Sequence, residues 1–136
     1  ARFALVVVDV NDLKHMNDMF GHAYGNEYLL CAARVLADVF GEGTVYRVGG
    51  DEFVVIVEGG TLDSLDERLA EVDAKIYNPN YVRGLSEEEK PLTLASMAYG
   101  CVSFDPKLHH SVEDVFKQAD VAMYEMKRAM KCERTE

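Results

Sequence analysis

The chain has 136 residues, 49% of them hydrophobic and 28% charged, and a net charge of −10 from 24 acids against 14 Lys and Arg. That length suits one globular domain with a sizeable core. The charge leaves no broad basic face for a nucleic-acid backbone, and the longest apolar run, Phe3 to Val8, is far too short to span a bilayer.

No basic-then-apolar leader is read at the start, so the expected setting is cytoplasmic, possession of a membrane anchor elsewhere being left open. The cysteines Cys31, Cys101 and Cys132 lack metal-ligand spacing and read as reduced thiols.

Residues 2–12, RFALVVVDVND, carry apolar side chains on both alternations, as a strand covered on both faces does. The strand is expected to end at the Asp9 carboxylate. A short helix or turn follows through LKHMNDMFGH, and then residues 24–41 place Leu29, Ala32, Ala33, Leu36 and Phe40 on one stripe, with Gly41 as C-cap. A hairpin comes next, with Val45–Val48 and Phe53–Val57 as arms and residues 49–52 at its tip. Glycines suit the positive φ of tight turns, and acids keep a tip soluble, so an ordinary hairpin explains this stretch by itself.

Leu62, Leu65, Leu69, Val72 and Ile76 mark one helix, with Ser64 and Glu67 as a candidate capping box. Residues 78–91 hold two prolines, a glycine and adjacent charges, and read as a surface loop. LTLASMAYGCVSF reads as a strand in which Gly100 marks a bulge or a close backbone approach. Ser111 caps a final helix whose apolar face runs through Val112, Val115, Phe116, Ala119, Met123, Met126 and Met130. His109 and His110 read as loop residues.

The element order β, α, β, β, α, β, α predicts an α+β fold of the ferredoxin-like split βαβ kind: a mixed, mainly antiparallel sheet with helices on one face. The first strand then lies beside the hairpin, which brings Asp9 to the tip with Asp51 and Glu52. Three carboxylates at one edge repel each other unless a cation lies among them. Mg²⁺, or Mn²⁺, fits such a set: Asp9, the backbone oxygen of Val10, and Asp51 or Glu52, completed by phosphate oxygens of a substrate. Side-chain-free Gly49 and Gly50 would let a nucleotide approach the backbone.

Two stretches, DVNDLKHMNDMFGHAYGNEYL and RVGGDEF, together with the closing ADVAMYEMKRAMK, resemble the GGDEF domain family, the diguanylate cyclases, in order and over nearly the whole chain. The resemblance implies a nucleotidyl cyclase fold that joins two GTP into cyclic di-GMP and releases two pyrophosphates. It also implies a homodimer, each domain holding one GTP. By position, Asp9, the Val10 carbonyl and Asp51 would hold two Mg²⁺ ions with Glu52 assisting, and Asp51 would bear on deprotonation of the attacking 3′-hydroxyl. Lys14, Lys127 and Lys131 fall where the family binds phosphates, and Leu13 falls on the substrate-binding side with Lys14. For Lys131 a solvated, dipole-favoured helix end is the alternative. Asn17 matches the family's guanine-contacting Asn, an Asx turn before Gly21 being the alternative. His22 matches a positioning group.

Departures matter too. Asn26 stands where the family usually has an Asp that accepts guanine's N1 and N2 hydrogens, and an amide turns one of those acceptors into a donor. Lys131 replaces a bidentate arginine with a point charge. The Arg-x-x-Asp product-inhibition site would fall on Phe40 to Gly43, where FGEG has no arginine. The family's flanking segments are missing at both ends, so residues 1–136 are expected to be a GGDEF domain cut from a larger, sensor-linked or otherwise regulated protein. A degenerate GTP-binding regulatory module without turnover is the main alternative, and an acidic interaction domain is another.

Overall fold

The computed structural model describes the backbone of residues 2–76 and 97–135 and the side chains within 2–75 and 97–130. The elements are β1 (Phe3–Val10), α1 (Leu13–Phe20), α2 (His22–Phe40), a 3₁₀ turn (Glu42–Thr44), β2 (Val45–Arg47), β3 (Glu52–Glu58), α3 (Gly60–Asp63), α4 (Leu65–Ile76), β4 (Met97–Ser103) and α5 (Val112–Thr135). The strand order is β2-β3-β1-β4, and every pairing among the described strands is antiparallel, so the mixed sheet expected from the sequence is corrected to an antiparallel one.

β1 is central, and its period-two alternation sorts its side chains between two cores. Ala4, Val6, Val8 and Val10 join Leu36, Val35, Val39 and Phe53 under α2 and α4. Leu5 and Val7 join Val54, Ala98, Val115, Ala119 and Met123 under α5. Helices therefore cover both faces, not the single face expected. The two-sided apolar pattern of β1 already required this, because a strand buried on both sides needs a layer on each.

Gly100 is where the second layer is closest. A methyl group there would come 2.0 Å from the Ala119 carbonyl oxygen and 2.5 Å from the Met123 nitrogen. The register across Val7 and Gly100 is unbroken, so the glycine serves a close helix approach and makes no bulge. Ser111 caps α5 by accepting the Asp114 amide at 3.3 Å, and Asp114 returns the bond by accepting the His110 amide at 2.8 Å.

Several expectations fail locally. Val112 is 58% exposed and is not part of the face that α5 packs on the sheet, whose fully buried members are Val115, Ala119 and Met123. Ser64 divides α3 from α4 and forms no capping box: its hydroxyl accepts from Arg68 Nε at 3.0 Å and points to the Thr61 carbonyl. Arg68 continues to the Val39 carbonyl and ties α4 to the end of α2. His109, though in a loop, is buried, accepting the Asp105 amide at Nδ1 and bonding Gln118 at 2.8 Å. The predicted loop at 78–91, the opening of the fourth strand at 92–96 and the Ile76 side chain lie outside the described residues. Among the described residues no helix is long and apolar enough to cross a membrane.

Candidate active site

One end of the sheet collects the acids. β1 and β3 pair with Asp9 directly opposite Glu52, and the Val10 amide donates to the Asp51 carbonyl at 2.8 Å, which fastens the hairpin turn to the end of β1. α5 crosses behind and delivers Lys127, whose Nζ donates to Asp9 Oδ2 at 2.8 Å. Their side chains are 23% and 7% exposed, so this ion pair is largely shielded from water.

The electrostatics are those of crowded, buried negative charge. Burial pushes the Asp9 carboxyl above the ordinary carboxylate range, the Lys127 hydrogen bond pulls it back only in part, and the nearby Asp51 carboxyl pushes it further. Glu52 is raised as well, first by burial and then by Asp120, Asp9 and Asp51. Burial disfavours the Lys127 ammonium, yet the bond to Asp9 and the charges of Asp9 and Asp51 hold it above its usual value. Asp9 Oδ1 is buried without a hydrogen-bond partner among the described residues, and while both carboxyls are ionised Asp51 cannot supply one, since each then only accepts. Among the described residues no three acidic, His or Cys side chains are arranged to hold an ion by themselves.

Asp120 is a residue the sequence reading passed over. It lies one heptad before Lys127 on α5, so both fall on the same helix face, and that spacing was the available signal. Arg47 is another: its Nε donates to the Gly49 carbonyl at 3.1 Å and its Nη2 to the Gly50 carbonyl at 2.7 Å. Neither glycine has a positive φ, so the turn does not need them for the reason first expected.

The remaining candidates sit on the two helices that leave this end. Asp12, in a left-handed conformation with φ 61°, starts α1, and the Tyr28 hydroxyl of α2 donates to the Asn11 carbonyl at 2.9 Å. Leu13 is half-buried against the larger core, while Lys14 is exposed. Asn17 is half-buried, and its Oδ1 lies so near Gly25 that a methyl group there would come within 1.5 Å of it. Gly25 thus lets α2 pack onto Asn17, a second contact the sequence did not announce. The Asn17 carbonyl also accepts the Gly21 amide at 2.8 Å, so Asn17 helps end α1 through its backbone. His22 and Asn26, four apart and both exposed, share one face at the start of α2. Lys131 lies on α5, but its side chain is outside the described residues. A cleft of about 500 Å³ bounded by Arg2, Asp63, Asp66 and Phe104 is at the opposite end of the sheet and contains none of these groups.

The motif order and this geometry agree with a family comparison: the model of "Diguanylate cyclase, GGDEF domain" matches residues 1–133. The chain belongs to the GGDEF family. Diguanylate cyclase DgcM of Escherichia coli is 31% identical over 133 residues, which cover 92% of this chain and 28% of that protein. Probable diguanylate cyclase DgcI of the same organism is 44% identical over 70 residues, 50% of this chain and 16% of that one. The domain therefore spans under a third of either relative.

Among solved structures, the GGDEF domain of PA1120 (YfiN or TpbB) from Pseudomonas aeruginosa superposes with a TM-score of 0.77 at 27% identity, covering 94% of this chain and 77% of that one. The GGDEF domain of DgcB from Caulobacter crescentus, solved in complex with c-di-GMP, gives 0.73 at 26% identity, covering 94% and 73%. The α+β nucleotidyl cyclase architecture of the GGDEF domain is thus shared with both.

Proposed function

We propose that this GGDEF domain condenses two GTP into cyclic di-GMP and two pyrophosphates, as one half of a homodimer in which each domain presents one GTP. The observation that carries the reading is the meeting of Asp9 with Asp51 and Glu52, from separate segments, around a buried carboxylate oxygen that no donor among the described residues satisfies. Hard carboxylate oxygens at a half-open rim suit Mg²⁺ or Mn²⁺, which take a few protein oxygens and complete their shell with phosphates. That habit is compatible with a set of acids too sparse to cage an ion alone.

Asp9, Asp51, Glu52 and the Val10 carbonyl would hold the cation. When bound, it would offset charge building on the α-phosphate and acidify the attacking 3′-hydroxyl. The protein's own part is placement. Gly49 and Gly50 let the nucleotide approach the turn, and Lys14, Lys127 and Lys131 offer cations to its phosphates. Leu13 and Asn17 border the base and ribose, with His22 positioning. Lys127 is engaged by Asp9 in the structure, so this role requires it to leave once other positive charge neutralises Asp9. The opposing domain would supply the in-line geometry between the two nucleotides, the orientation that proximity catalysis requires.

Asn26 favours a second reading, a GTP-binding regulatory module with slow turnover or a cyclase of relaxed base choice. A mismatched polar contact costs about 1 to 3 kcal/mol, enough to blunt discrimination against ATP while leaving binding intact. The share of DgcM that this domain spans is in keeping with attached sensor or regulatory domains, and use of GTP implies a cytoplasmic setting. The test is incubation of the full-length protein with Mg²⁺ and GTP, ATP or both, scored for cyclic dinucleotides. Cyclic di-GMP from the wild type and none from Asp51→Ala supports the enzyme. Binding of GTP without product supports the regulatory module, and Asn26→Asp should raise the preference for GTP by about tenfold or more.

A further inference from the structure

The Gly49–Gly50 turn is held in a way that its own folding does not require. A methyl group at Gly50 would meet nothing within 4 Å, and one at Gly49 would reach only the Glu52 Cβ, at 3.6 Å. Neither residue has a positive φ. Crowding and backbone strain are thus both removed as reasons for a side-chain-free turn, leaving the approach of something from outside the chain.

The hydrogen bonds say which groups that visitor meets. Arg47 donates to the carbonyls of both Gly49 and Gly50, drawing the two oxygens to one guanidinium. All described peptide bonds are trans, so the N–H of each following residue points away from the carbonyl it shares a plane with. The amides of Gly50 and Asp51 are accordingly turned to the side opposite Arg47. The Val48 and Gly49 amides are used by the Glu52 carbonyl, at 3.0 and 3.4 Å, whereas those of Gly50 and Asp51 have no backbone partner among the described residues. Two successive free N–H groups facing one way make a small anion cradle.

We propose that Arg47 is a positioning residue: by holding the Gly49 and Gly50 carbonyls it aims the Gly50 and Asp51 amides at a phosphate oxygen of the bound nucleotide. This rests on the reading of the site as a GTP site. The guanidinium does not touch the substrate; it acts through the orientation of the peptide planes. Its two donors in a fixed fork suit two carbonyls at once, which a single ammonium cannot match.

The test uses the whole chain, isotope-labelled, with GTP and Ca²⁺ as the probe so that binding is read without turnover. The amide resonances of Gly50 and Asp51 should shift on titration, and in Arg47→Met they should shift far less while those of Asn17 and His22 still respond. With Mg²⁺ and turnover, Arg47→Met should raise KM for GTP about tenfold with a smaller change in kcat, and Arg47→Lys should lie between. Arg47 is exposed, so the variant is expected to fold, with an unchanged unfolding midpoint as the check. Gly50 and Asp51 amides that stay still while GTP binds, or an unchanged KM in Arg47→Met, would overturn the proposal. Absence of cyclic di-GMP from the wild type alongside the expected amide shifts would instead overturn turnover and leave the cradle standing.

Discussion

β1 is stabilised in opposite ways at its two ends. At its start, the Phe3 ring stacks on Phe104 at 5.0 Å and the Phe104 amide donates to the Phe3 carbonyl at 2.8 Å; outside them Arg2 and Asp63 form an exposed pair worth little. At its finish, a carboxylate of 7% exposure depends on one lysine, with a second acid across the ladder and a third on the adjoining turn. Apolar contact stabilises the first end whatever the solvent contains. The second is stable only in proportion to the positive charge available to it, which is what the proposed binding of a cation and a triphosphate would exploit.

The sharpest way to break this contrast is Lys127→Met. Removing one member of a shielded ion pair leaves a buried charge uncompensated and costs about 3 to 5 kcal/mol. Denaturant unfolding at neutral pH without metal should show that loss, and Asp9→Asn combined with Lys127→Met should recover most of it. Addition of Mn²⁺ should also restore stability to the single variant, since ligation of the native state adds about 2.7 kcal/mol at a hundredfold excess over Kd. A loss below about 0.5 kcal/mol, in the range of ordinary surface substitutions, would mean that Asp9 does not need Lys127.

At the other end the effect should be smaller and indifferent to metal. Phe104→Ala removes a half-buried ring from the Phe3 stack and should cost about 2 kcal/mol, less than a full core truncation. Mn²⁺ should add the same increment to this variant as to the wild type. A larger increment in Phe104→Ala would show that the two ends are coupled through β1, and the comparison would fail.

What could be read from the sequence divides along similar lines. Periodicity revealed the strands and helices because each is amphipathic or wholly buried, and the element order, read as a split βαβ fold, set β1 beside the hairpin and so brought Asp9 to its tip. Gly100 was legible as a close approach, though not the helix it admits. Long-range contacts between polar side chains left no periodic trace. The resemblance alone assigned Lys127 to phosphates, and its bond to Asp9 went unread because nothing in a helix pattern tells which acid, 118 residues away, its ammonium reaches. The reach of Arg47 to two carbonyls, and of Asn17 to Gly25, depends on side-chain rotamers and on how α1 meets α2, which local sequence does not fix.

The smallest effect, and the one that probes the acid end without removing its cation, is in the pH dependence of Glu52→Gln. The Glu52 carboxyl is raised by burial and by Asp120, Asp9 and Asp51, so between the ordinary carboxylate range near pH 4 and its raised value the folded state binds more protons than the unfolded one. Stability from this group is therefore fully present below its unfolded pKa and is lost as pH rises through the folded one. Glutamine, which mimics the protonated acid, should make the metal-free domain more stable than the wild type at pH 7, and the advantage should shrink on acidification towards pH 4. Chemical unfolding of both proteins at a series of pH values measures that difference directly and cancels the other carboxylates. Saturating Mn²⁺ should reverse its sign, because a bound cation favours the charged acid that the glutamine lacks. If the advantage of glutamine instead grew as pH fell, Glu52 would be stabilised as a carboxylate in the metal-free state, and the acid end would be no more dependent on a cation than the aromatic one.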